Sequence, residues 1–240
     1  MISKTTGIVL RTVKYSDRAS VVTVYTRDYG RMAYMVYGIY GKKSAAKAAC
    51  FLPLSLIEIT AAHHPGKDVQ QMKEARIEEN LVNTHHNPIK NAIALFIAEL
   101  LYKTLKHPEP ESELFDFLRQ SILILNDKEE GIANFHLVFA MHLCRHLGIK
   151  PNGDFANPVY FDLLNGTFVQ YPPQHEHTMN PEITKLFLQL NRLSFEDMDQ
   201  LKLSRESRNN LLNNIVEYYK LHMPEFYGLN CLTVLQEVFN

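Results

Sequence analysis

The chain has 240 residues, 46% of them apolar and 21% charged, with 25 Lys/Arg against 26 Asp/Glu and a net charge of −1. That length suits one large core or two modest ones, and the composition is that of an ordinary globular protein rather than a disordered or fibrous one. No apolar run approaches the roughly 20 residues that cross a bilayer. Three scattered cysteines, Cys50, Cys144 and Cys231, argue against a disulfide framework and for a reducing, cytoplasmic setting. Met1-Ile2-Ser3-Lys4 runs straight into strand-like residues and does not read as a secretory leader.

The charge is unevenly spread. Residues 1–50 hold nine Lys/Arg against Asp17 and Asp28, a local charge of +7, and six of the twelve tyrosines. Residues 81–240 carry a net −6. In the basic part, Ile8 to Val13, Ser20 to Tyr25 and Arg31 to Tyr37 alternate like half-buried strands. Arg27-Asp28-Tyr29-Gly30 between the last two reads as a hairpin loop. Leu52 to Ala61 and Val69 to Ile77, parted by the turn His64-Pro65-Gly66, supply a fourth and a fifth strand. Five short strands, basic and tyrosine-rich, suggest a barrel of the oligonucleotide-binding type over residues 1–80.

From residue 81 the period becomes helical, so the fold class is α+β, with an all-helical domain over 81–240. Asn87-Pro88 caps a helix striped by Ile89, Ile93, Phe96, Ile97, Leu100 and Leu101. Ser112 opens a second one, and Ile132 to Leu147 is apolar enough to lie central in a bundle before Gly148 stops it. Residues 151–179 hold six prolines or glycines and read as an irregular insertion with a hairpin at Asn165-Gly166. Asn180-Pro181, Ser194 and Ser204 open three more helices, and Leu232 to Phe239 close the chain with a short one.

Cations neutralise phosphates and aromatic faces stack on unpaired bases. The candidate nucleic-acid-binding residues, which become DNA-binding residues under the resemblance given below, are Lys4, Arg11, Lys14, Arg27, Arg31, Tyr34, Tyr37, Lys42, Lys43 and Lys47. Tyr34 and Tyr37 stand three apart, so a regular strand cannot turn both to one face and one of them belongs to the core. The sequence offers no catalytic residue: there is no phosphate-cradling glycine loop and no nucleophile elbow. His142 and His146 lie four apart on an apolar helix without the acid a metalloprotease needs, and read as buried histidines. His63-His64 and His85-His86 sit beside turns, and His175 and His177 flank Glu176 in the irregular segment. No metal and no cofactor is expected. An RNA-binding barrel and a pure protein-interaction scaffold remain alternatives on these features alone.

The order Gly7-Ile8-Val9-Leu10, Tyr15-Ser16-Asp17 and Val24 to Gly30 resembles the opening of the bacterial recombination mediator family RecO. So do Gly38 with Gly41-Lys42-Lys43-Ser44, Leu52-Pro53-Leu54, Glu74-Ala75, Glu99-Leu100-Leu101, Leu114-Phe115, Phe135 to Gly148 and the tail from Leu229 to Phe239. The resemblance implies an oligonucleotide-binding barrel and a helical domain. It implies binding of single- and double-stranded DNA, strand annealing and, with RecR, the loading of RecA onto DNA coated by single-stranded DNA-binding protein (SSB). It implies nucleoid association without a membrane. Many members carry a four-cysteine zinc finger after the central helix. Here the matching stretch, Pro151 to Tyr171, has no cysteine, which excludes a thiolate zinc site and leaves Tyr160, Phe161 and Phe168 to hold the hairpin. The resemblance also implies that the helical domain captures the C-terminal tail of SSB. Phe135, Val138, His142 and Arg145, which share a line on the central helix, and Lys150 beyond it are the candidates for that pocket.

Overall fold

In the computed structural model, which describes residues 2–40, 45–106, 109–153 and 158–239, the chain forms two compact units, Met1–Asp127 and Lys128–Asn240. The first holds the five expected strands, β1 (Ile2–Lys14), β2 (Ala19–Thr26), β3 (Gly30–Tyr37), β4 (Leu56–Ala62) and β5 (Val69–Glu79), with the short helix α1 (Ala45–Ala49) between β3 and β4. They close into a barrel in the order β1-β2-β3-β5-β4, which returns to β1. Only the β3–β5 pairing is parallel, and closure leaves no long free edge.

Alternation fills the barrel. Val9, Val22, Val24, Tyr34, Val36, Ile57 and Ile59 point inwards and pack into one core. Gly7 has no room for a side chain, because a Cβ there would come within 2.5 Å of Val24 Cγ1. A bulge between Val9 and Arg11 shifts the β1–β2 register, so Arg11 faces out opposite Thr23 while Val9 stays in. Ile8 and Leu10, on the other side of β1 from that core, are buried as well, and β1 packs on the helix α3 (Pro88–Thr104). Gly30, at φ 61°, makes the tight β2–β3 turn.

The same unit continues past the barrel through α2 (Val82–His86), α3 and α4 (Ser112–Asp127). Asn87 caps α3 as expected, its side chain accepting from the Ile89 and Lys90 amides, with Pro88 in the first turn. The sequence reading divides the chain at residue 80, whereas compactness divides it at Asp127.

The second unit opens with a 3₁₀ turn (Ile132–Asn134) leading into α5 (Phe135–His146), whose buried circumference makes it the centre of this unit. Gly148, at φ 72°, ends it. The expected hairpin forms as β6 (Tyr160–Asp162) and β7 (Thr167–Val169), and a third strand, β8 (Thr178–Met179), pairs with β6. The helical domain therefore also carries a small sheet. α6 (Pro181–Arg192) starts from an Asn180 cap and α7 (Arg205–His222) from a Ser204 cap. The helix expected after Ser194 is absent. Ser194 Oγ instead accepts from the Glu196 and Asp197 amides in a turn. The buried Asn134 amide donates to the Met198 and Leu201 carbonyls at 3.1 and 2.7 Å, which occupies the groups a helix would need. α8 (Leu232–Val238) closes the chain.

Candidate nucleic-acid interface

Two groups of basic and aromatic side chains stand on the barrel, and local backbone geometry explains each. The first lies at the end where β1 turns into β2 and β3 runs out. The Tyr15 and Ser16 amides donate to Ala19 O, and the Gly38 amide donates to Arg18 O at 2.9 Å. These bonds hold the β1–β2 loop against the end of β3. Tyr15, Tyr37 and Tyr40 are 73%, 55% and 55% exposed there. Lys14 and Arg18 are exposed beside them. Lys47 reaches back from α1 to donate to Tyr37 O at 2.6 Å. Lys14 is paired with Asp17 at 2.9 Å, but both are exposed and such a pair holds weakly against competing anions.

The second group lies where the barrel meets α3 and α4. Arg27 makes a bidentate pair with Asp116 and lies over the Phe115 ring. Each partner holds the other charged: hydrogen bonding raises the arginine pKa and lowers that of the carboxyl. Arg31 donates from Nη1 to the Tyr102 and Leu105 carbonyls at 2.8 and 2.9 Å. Arg11 and Arg31 lie 4.8 and 4.5 Å from the centroid of the Tyr102 ring.

Of the candidate residues, Lys14, Tyr37 and Lys47 come together at the tyrosine-rich end. Arg11, Arg27 and Arg31 gather at the helices, and Lys4 is exposed on β1, ten positions up the strand from Lys14. Lys42 and Lys43 lie outside the described residues. Tyr34 needs correction. It is fully buried in the barrel core and its hydroxyl bonds His63 Nε2 at 2.8 Å, so it has no face for a base. Burial drives its phenol pKa up. Tyr15, Arg18, Tyr40 and Tyr102 were missing from the candidate set. The first three sit in loops that flank strand ends, where alternation gives no orientation; their signal was sequence proximity to Lys14 and Tyr37. His63 is half-buried: it stacks on Tyr29 at 4.0 Å and bonds Ser3 and Tyr34.

On the central helix, Phe135 and Val138 are both completely buried, and Phe135 stacks on Phe195 at 4.8 Å. They are core, and the pocket floor expected of them is not there. His142 Nε2 bonds Leu193 O at 2.8 Å. Arg145 and Lys150 are exposed, with Arg145 donating to Asn191 O. His136 is fully buried, and burial lowers its pKa to about 3.

The hairpin does not fit a thiolate zinc site. Phe161 and Phe168 pack edge-on at 4.7 Å and both meet Phe187, with Tyr218 closing on Phe161. Tyr160 is only half-buried. His175 pairs with Asp162 and His177 with Glu217 nearby. Among the described residues no group of three or more His, Cys, Asp or Glu is arranged to hold a metal ion, and no helix is long and apolar enough to cross a membrane.

Comparison with known proteins follows the same lines. Residues 1–81 match the family model described as Recombination protein O N terminal, and residues 85–227 the model described as Recombination protein O C terminal. The chain is 40% identical over 242 residues to the DNA repair protein RecO of Bacteroides fragilis, with both chains covered in full. It is 38% identical over 241 residues to the protein of that name from Phocaeicola vulgatus, and 33% over 245 to that from Porphyromonas gingivalis, again over 100% of both chains.

Proposed function

The chain belongs to the Recombination protein O family, and from that premise we propose that its part in DNA repair is to hold DNA on the basic barrel and bring strands together. The family membership carries the repair role itself. The observation that supports the mechanism is the exposed set Tyr15, Tyr37 and Tyr40 among Lys14, Arg18 and Lys47. Cations there follow a phosphate chain while phenol rings stack on unpaired bases, a combination that tolerates any sequence. Duplex DNA is held through its phosphates alone, with no base contacts required.

Neutralising two strands on one surface lowers their mutual repulsion and favours annealing. The chemistry is physical and consumes nothing, so the protein acts as a mediator rather than an enzyme. In this reading it works with RecR and reaches RecA indirectly, through DNA from which SSB is displaced. It also captures the acidic, apolar-ended tail of SSB on the second unit, where Arg145 and Lys150 are exposed cations; the apolar part of that pocket lies elsewhere than on Phe135 and Val138. Association with the nucleoid follows from DNA binding.

A strand-annealing assay tests the reading. Complementary oligonucleotides coated with SSB should anneal faster with the protein than without it. No acceleration would move the function to another nucleic acid or to protein docking.

A further inference from the structure

We propose that Arg11 and Arg31, which share the ring of Tyr102, form a seat for one backbone phosphate of a strand lying across the outer face of β1, β2 and β3. This rests on the DNA-binding reading above and adds where one end of the strand is held. The two guanidiniums stand 4.8 and 4.5 Å from one ring centroid. Among the described residues neither is ion-paired. Arg31 spends Nη1 on two neutral carbonyls; burial disfavours its charge, Tyr102 offsets part of that, and Arg11 adds a smaller disfavour. Two like charges packed on one ring are relieved by an oxyanion, and guanidinium forks match phosphate geometry. Arg27 is the contrast: its fork is already filled by Asp116.

The face between this pair and the tyrosines is continuous. Arg11 pairs with Thr23 and Thr23 with Ala33; Val13 pairs with Val21 and Val21 with Met35. All six are at least partly exposed, and Tyr37 ends β3 beyond them. Tyr37 lies six steps along β3 from Arg31, which is about 20 Å of strand. That span suits the shorter sites on barrels of this type, which take about four nucleotides.

The test uses the full chain, labelled oligodeoxythymidine and anisotropy titrations over a range of salt. Arg11→Gln should reduce the log–log salt slope by about 0.7 and weaken binding about fivefold at 0.1 M salt, the effect of one phosphate left without its cation. Its thermal transition should stay close to the parent's, lowered only by the loss of one exposed cation–π contact, because Arg31 remains on the Tyr102 ring. Arg11→Lys should keep the slope. Arg76→Gln, on β5 opposite Glu58 and off the β1–β2–β3 face, should change neither slope nor affinity. An unchanged slope in Arg11→Gln, or an equal fall in Arg76→Gln, overturns the seat and leaves DNA binding standing. If the parent protein fails to bind the oligomer, the functional reading falls, and pyrophosphate decides the seat. It must raise the thermal transition of the parent and not of Arg11→Gln; equal shifts overturn the seat.

Discussion

Three positions separate Tyr34 from Tyr37 on β3, and the pleat sends them to opposite sides of the sheet. The spacing told that one of them is core, but not which, because the choice depends on the register that β2 and β5 impose. Replacing them should therefore separate binding from stability. Tyr37→Ala should weaken binding of a single-stranded oligonucleotide by about 1–3 kcal/mol, the worth of one stacked base, and leave the urea midpoint unchanged. Tyr34→Ala should lower folding stability by about 3–5 kcal/mol, the loss typical of a large buried ring. Equal effects of the two on binding, with no loss of stability, would contradict these assignments. A second residue-scale consequence concerns acid. His136 is neutral in the fold, with a pKa of about 3 against 6.5 for the free side chain. The unfolded chain therefore binds a proton that the folded one refuses once the pH drops below 6.5. The stability involved is fully present above pH 6.5 and is lost as pH falls from there towards 3, by about 2 kcal/mol at pH 5. His142, lowered by burial, acts in the same direction. Urea titrations at pH 7.5 and 5 should show the loss, and His136→Gln should flatten it relative to the parent.

At the scale of elements, legibility followed the range of the interactions involved. Strands β1 to β5 were legible because alternation is local, and the starts of α3, α6 and α7 because Asn87, Asn180 and Ser204 cap them with their own side chains. The helix expected after Ser194 failed for the opposite reason. Its buried spacing of Phe195, Met198 and Leu201 looks helical, but the carbonyls are claimed by Asn134, more than sixty residues away in sequence. β8 was invisible because two residues carry no period. The hairpin of β6 and β7 was readable from Asn165-Gly166, and so was its reliance on Phe161 and Phe168 in place of thiolates. Phe161→Ala should then cost about 3–5 kcal/mol of stability, while a chelator should leave helicity and the thermal transition unchanged. Loss of helicity on chelation would mean that the histidines near Asp162 bind a metal that the hairpin requires.

Over the whole molecule, composition already divided the chain into a basic and an acidic part, and compactness groups α2, α3 and α4 with the barrel. The first unit runs to Asp127, because Arg11 and Arg31 lean on Tyr102, Arg27 on Asp116, and Tyr25 on Phe115. Residues 1–127 should unfold cooperatively on heating, whereas residues 1–80, with Ile8, Leu10 and Tyr25 uncovered, should not. Circular dichroism on the two fragments checks this. The central claim is that the tyrosine-rich end of the barrel is where a DNA strand is held. The most direct measurement is the affinity of the full chain for a labelled single strand across a range of salt, with Lys14, Arg18 and Lys47 intact and all three replaced by Ala. The parent should bind with a steep negative log–log slope. The triple variant should bind more weakly, with an unchanged thermal transition and a slope shallower by up to about 2, or roughly 0.7 for each phosphate no longer neutralised. The same affinity and the same slope in both proteins would contradict it.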